Sequence, residues 1–86
     1  MKILVADDEK DFVMLLYGQL TQKGHRVDVV FDGEKALDLI KSNKYDLALL
    51  DHNMPELTGL ELIKYIKQKN LRTKTIMITG YEETKF

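Results

Sequence analysis

Four short apolar runs, each followed by a longer amphipathic stretch, restrict the architecture of this chain more than any other feature. Ile3 to Ala6, Val27 to Phe31, Leu47 to Leu50 and Thr75 to Thr79 are rich in β-branched or large aliphatic residues and give way to polar or turn-forming ones. They read as strands. Ile3-Leu4-Val5-Ala6, Leu47-Ala48-Leu49-Leu50 and Ile76-Met77-Ile78 are continuous rather than alternating, the pattern of parallel strands covered on both faces, whereas Val27-Asp28-Val29 alternates and predicts an edge strand. Between the runs, three stretches carry apolar residues at helical spacing. Phe12, Leu15, Leu16 and Leu20 form the inward stripe of the first, with Gly24 placed to end it; Ala36, Leu37 and Ile40 form that of the second, after Asp32-Gly33; Leu62, Ile63 and Ile66 form that of the third, from Thr58-Gly59 to about Asn70. The order β-α-β-α-β-α-β implies an α/β fold with a doubly wound parallel sheet and right-handed crossovers.

At 86 residues there is room for one small domain. Thirteen Lys and Arg against fourteen Asp and Glu argue against direct nucleic-acid binding, which meets phosphates with excess positive charge. The absence of Cys excludes disulfides and thiolate metal sites. The first apolar run stops at Asp7, too short for a membrane span or a signal peptide, so no membrane contact and a cytoplasmic location are expected.

Ligands of open α/β sheets bind beyond the carboxyl ends of the strands, where strand order reverses. Three clusters occupy such ends: Asp7-Asp8-Glu9 after the first strand, Asp51 at the end of the third, and Thr79-Gly80 at the end of the fourth. If the first strand lies between the second and third, the two acidic groups face each other. Carboxylates within ~4 Å repel by roughly 4 kcal/mol per pair at an effective dielectric of 20, so they need a cation or must hold protons. Mg2+ suits an all-oxygen set of this kind. Taken alone, Asp7-Asp8 also reads as a turn with a helix N-cap, and Thr79 as a hydroxyl satisfying the backbone. Asp51, within the last position of an apolar strand and before Asn53-Met54-Pro55, is harder to explain as a cap.

These residues resemble the receiver domain of two-component response regulators. The likeness is carried by Leu4-Val5-Ala6-Asp7-Asp8-Glu9, by Asp32-Gly33-Glu34-Lys35-Ala36-Leu37, by Asp46 to Pro55 with Gly59, and by Ile78-Thr79-Gly80, in the family's order and spacing. It implies a flavodoxin-like sheet of strand order 2-1-3-4, and a phosphoacceptor, not an enzyme, that takes a phosphoryl group on Asp51 from a sensor histidine kinase or phosphotransfer protein. It further implies Mg2+ held directly by Asp8 and Asp51, through water by Asp7, and by the backbone carbonyl of Asn53. Thr79 would donate its hydroxyl to a phosphoryl oxygen, and small Gly80 would leave the approach open.

The chain departs from the family pattern after its fourth strand. Neither the Lys at the end of a fifth strand nor that strand's aromatic is present, and Lys85 follows Thr79 too closely to replace the Lys. The expected domain, residues 1–86, is therefore an incomplete receiver without the usual fourth helix, fifth strand and fifth helix. Its fourth strand is expected to be an exposed edge, which predicts a homodimer or swapped oligomer. Two other readings compete: an assembly fragment that dimerises without phosphorylation, and a Mg2+-dependent phosphatase, which would need a second acid that the sequence does not offer near Asp51. Among the remaining residues, His25 and His52 lack ligand-spaced partners, and the basic run Lys64, Lys67, Lys69, Arg72 and Lys74 reads as a solvated face. Met14, Met54 and Met77 are expected to fill the core, and Tyr81 is a candidate gate.

Overall fold

The computed structural model describes residues 1–78, which form β1 (Lys2–Ala6), α1 (Lys10–Gln22), β2 (Arg26–Val30), α2 (Gly33–Ser42), β3 (Leu47–Asp51), α3 (Gly59–Gln68) and β4 (Lys74–Ile78). All strand pairs are parallel, with the alternating strand at one edge, as the sequence pattern predicts, and the order is β2-β1-β3-β4, as the family resemblance implies. Strand boundaries shift by a residue or so, and Thr79 lies outside the described residues.

The continuous apolar runs are explained by two cores on opposite faces of the sheet. Ile3 and Val5 of β1 pack with Val13 under α1, while Leu4 and Ala6 pack with Ala36, Ile40, Ala48, Leu50, Leu62 and Ile66 under α2 and α3. The side chains of Ile3, Leu4, Val5 and Ala6 are all fully buried. Burying each large one contributes roughly 1.5 to 3 kcal/mol relative to exposure.

The helix ends follow their local chemistry. Asp32 caps α2 by accepting from the Lys35 N–H at 2.8 Å, and Thr58 with Glu61 forms a reciprocal capping box at the start of α3. Gly24, at φ 92°, closes α1, with its N–H on the Thr21 carbonyl and that of His25 on Leu20. Asn70, at φ 54°, closes α3 in the same way.

Two core assignments are corrected. Leu15 is 60% exposed and Met14 is 50% exposed, and the buried place on α1 belongs to Val13. Val13, Leu16 and Leu20, spaced by three and four, form the stripe against the sheet, whereas Leu15, two positions from Val13, is turned about 200° away. Met54 is buried as expected, Met77 is half-buried, and the basic run is exposed throughout. Among the described residues no helix is long and apolar enough to cross a membrane.

Candidate functional site

The parallel register brings the acidic residues together. Ala6 of β1 pairs with Leu50 of β3, so Asp7 and Asp51, each the next residue, lie side by side at the carboxyl ends of the two central strands. Here the chain leaves β1 toward one edge of the sheet and later returns on its other side, so the strand order reverses. One carboxylate oxygen from each of Asp7, Asp8 and Asp51 lies within 4.8 Å of the others. Asp7 and Asp51 are buried and Asp8 is exposed, so the group opens to solvent on one side.

Local hydrogen bonds orient both buried carboxylates. The Glu9 N–H donates to Asp7 Oδ1 at 2.9 Å and the Asn53 N–H donates to Asp51 Oδ1 at 3.2 Å. Asp7 thus makes a turn, but neither it nor Asp8 caps α1, whose N-cap is Glu9 with no side-chain bond. Burial, foremost, pushes the Asp7 carboxyl up to about 6, and the Asp51 and Asp8 charges, with a hydrogen bond to Asp51, add to it against the Glu9 N–H.

This shift sets the sign of a pH dependence. Between the ordinary value of 3.8 and about 6 the folded state binds more protons at Asp7 than the unfolded chain does, so its contribution to stability falls as pH rises through that window. Without divalent cations, the difference in urea midpoint between the wild-type protein and Asp7→Asn is expected to move against the wild type over that range. A difference independent of pH would show that Asp7 is not held protonated.

The loop after β3 is fixed to the same end of the sheet. Met54 is buried in the core under α2 and α3, and the Pro55 carbonyl accepts from Leu57 N–H at 2.8 Å, leaving Glu56 at φ 72° in a three-residue turn. The Gly33 N–H at the start of α2 also points to the Pro55 carbonyl, at 3.4 Å. Gly59 brings α3 against the end of β3, where a Cβ would stand 2.4 Å from the Asp51 carbonyl oxygen. Close approach, not an unusual φ, is what Gly59 provides.

The described part of β4 ends beside the acidic group: Ile78 pairs with Asp51, and its carbonyl accepts from the His52 N–H at 3.2 Å. The side chains of His52 and Asn53 are exposed. Thr79, Gly80, Tyr81 and Lys85 lie outside the described residues. Sequence reasoning missed Tyr45, which is buried at the opposite end of the sheet and donates its hydroxyl to Asp28 at 2.5 Å. Its only signal was Asp28 alternating with Val27 and Val29, a polar inward position that needs a partner.

Chemically, the site offers oxygen donors alone, with three carboxylates whose mutual repulsion a hard divalent cation would relieve. A family model described as the response regulator receiver domain matches residues 3–86. The chain is 37% identical over 84 residues to the transcriptional regulatory protein DltR of Streptococcus agalactiae, covering 98% of this chain and 38% of that protein. It is 40% identical over 82 residues to the alkaline phosphatase synthesis transcriptional regulatory protein PhoP of Bacillus subtilis, covering 95% and 34%. The chain therefore spans little more than a third of the length of these curated relatives. Among solved structures, the receiver domain of the Francisella response regulator 1452 superposes with a TM-score of 0.88 at 36% identity, over 98% of this chain and 69% of that one. The response regulator TrrA of Thermotoga maritima, in complex with Mg2+-BeF, superposes at 0.87 with 39% identity, over 95% and 71%.

Proposed function

This chain belongs to the response regulator receiver domain family, and from that premise we propose that it is a phosphoacceptor module of two-component signalling that takes a phosphoryl group on Asp51. The observation that carries the reading is the convergence of Asp7, Asp8 and Asp51 at the strand-order reversal. The likeness to a response regulator in complex with Mg2+-BeF supports it. The residues that would hold Mg2+ are Asp7, Asp8, Asp51 and the Asn53 carbonyl. Mg2+ would supply neutralising charge for the carboxylates and for the phosphoryl oxygens.

The chain's own groups do the rest by position. With Oδ1 of Asp51 occupied by the Asn53 N–H, Oδ2 is the oxygen offered for attack. It forms the new bond to phosphorus while the bond from phosphorus to the donor breaks, the electron pair leaving with the donor's imidazole nitrogen. Asp8, on the exposed side, marks where the donor enters. Thr79, the residue after β4, is assigned the hydroxyl that donates to a phosphoryl oxygen. The result is a shift between conformations, with a coupling of about 1 to 3 kcal/mol. The donor is a sensor histidine kinase or a phosphotransfer protein, and the place of action is the cytoplasm. Incubation with Mg2+ and a small acyl phosphate should add the mass of one phosphoryl group to the intact chain; a folded protein that gains none would overturn this reading.

A second reading concerns assembly, and it rests on β4. Among the described residues β4 pairs only with β3, and Ile76 is 53% exposed on that edge. An unpaired parallel edge is a template for another strand. We infer that two copies of the 86-residue chain associate through this edge. Sedimentation velocity should show an average mass that rises with concentration and returns to that of a monomer in Ile76→Lys. A single monomer species at every concentration rules the association out.

A further inference from the structure

At the end of the sheet opposite the acidic cluster, the loops before β3 and before β4 form a cavity of about 400 Å3 that is open to solvent on one side. Its walls are preformed. The Thr73 hydroxyl donates to the Tyr45 carbonyl at 2.8 Å, the Lys74 N–H donates to the Asp46 carbonyl at 3.0 Å, and the Leu71 N–H is fixed on the Ile66 carbonyl. Tyr45 itself is buried and tied through its hydroxyl to Asp28. The loop before β3 contributes Lys44 to the lining and the loop before β4 contributes Arg72, both exposed, while no acidic residue lines the cavity. Leu71, an exposed large apolar residue, and Asn70 also line it.

We propose that this cavity is a binding site for a small organic phosphate, with its anionic head between Lys44 and Arg72 and its apolar body on Leu71. Two cationic walls with no acid call for a ligand close to dianionic, and a phosphate monoester is largely dianionic at neutral pH. The planar guanidinium of Arg72 suits two phosphate oxygens at once, and the ammonium of Lys44 supplies a compact charge from the other side. The volume lies within the range of small-molecule sites and exceeds what a bare phosphate ion needs, and Leu71 gives the rest of the ligand something to cover. The site is separate from the acidic cluster and does not depend on its chemistry.

Amide NMR titration of the whole chain without divalent cations tests this, with phenyl phosphate as the probe and inorganic phosphate and benzoate as comparators. Saturable shifts are expected at Lys44, Tyr45, Leu71, Arg72 and Thr73, with phenyl phosphate bound about tenfold more tightly than either comparator. Lys44→Glu and Arg72→Glu, both at exposed positions, should each weaken binding by about tenfold with the rest of the spectrum unchanged. Absence of saturable shifts at this rim in the millimolar range overturns the site. So does equal affinity in the charge-reversed variants, and so does equal binding of inorganic phosphate, because the apolar wall would then contribute nothing.

Discussion

Asp51→Asn is expected to abolish the phosphoryl adduct while making the metal-free protein more stable. An amide oxygen carries no charge to form an acyl phosphate, so transfer should fall below detection by intact mass. Stability should move the other way. Asp51 lies within 4.8 Å of Asp7 and Asp8, and like charges at about that separation repel by roughly 3 to 4 kcal/mol at an effective dielectric of 20. The amide keeps the favourable contacts: its oxygen accepts from the Asn53 N–H and its NH2 donates toward Asp7. Below about pH 6 a proton taken up by Asp7 relieves part of that repulsion, and at neutral pH solvent screens the exposed Asp8, so the net gain at neutral pH is expected to be about 1 kcal/mol in urea denaturation without Mg2+. Added Mg2+ should stabilise the wild-type protein more than the variant. Phosphorylation of Asp51→Asn at the wild-type level would place the acceptor elsewhere. A loss of metal-free stability would mean that the Asp51 charge is not in conflict with its neighbours.

How far this site is legible in the sequence depends on which forces place each residue. Asp7 and Asp51 could be put at strand ends because Ile3–Ala6 and Leu47–Leu50 are uninterrupted apolar runs, and a run buried on both faces must stop where the first charge appears. Their adjacency required the register Ala6 with Leu50, which follows from side chains interleaving across two cores. Spacing along the chain holds no trace of that, and it was reached through the family likeness. The first helix shows the opposite case. Its apolar residues are numerous enough for two stripes, Phe12 with Leu15 and Leu16, or Val13 with Leu16 and Leu20, and only the sheet's Ile3 and Val5 select the second. Exposed Met14 and Leu15 are what that choice leaves over. Asp28 signals the need for a partner but not which one, because Tyr45 lies 17 positions away and no local pattern links the two.

The glycines give the largest expected effect on stability, and they separate fold from site. Gly18, in α1, has nothing within 4 Å of the position a Cβ would take. Gly18→Ala should therefore stabilise by about 0.5 to 1 kcal/mol, the usual helix-interior gain. Gly33→Ala and Gly59→Ala should both destabilise, by about 2 to 3 kcal/mol, because the new methyl meets backbone that no rotamer change can move aside. At Gly33 the obstacle is the Leu57 carbonyl oxygen, 2.0 Å away; at Gly59 it is the Asp51 carbonyl oxygen, 2.4 Å away, with Met77 Sδ also close. Guanidinium denaturation of the three variants checks the signs. The two losses should differ in kind. In Gly33→Ala the strain falls on the loop around Leu57, whereas in Gly59→Ala relief requires α3 to draw back from the residue that bears the candidate nucleophile. Phosphoryl uptake measured under conditions where each variant is folded should therefore fall further in Gly59→Ala than in Gly33→Ala, and equal uptake in the two would show that the position of Asp51 does not depend on the contact between α3 and the end of β3.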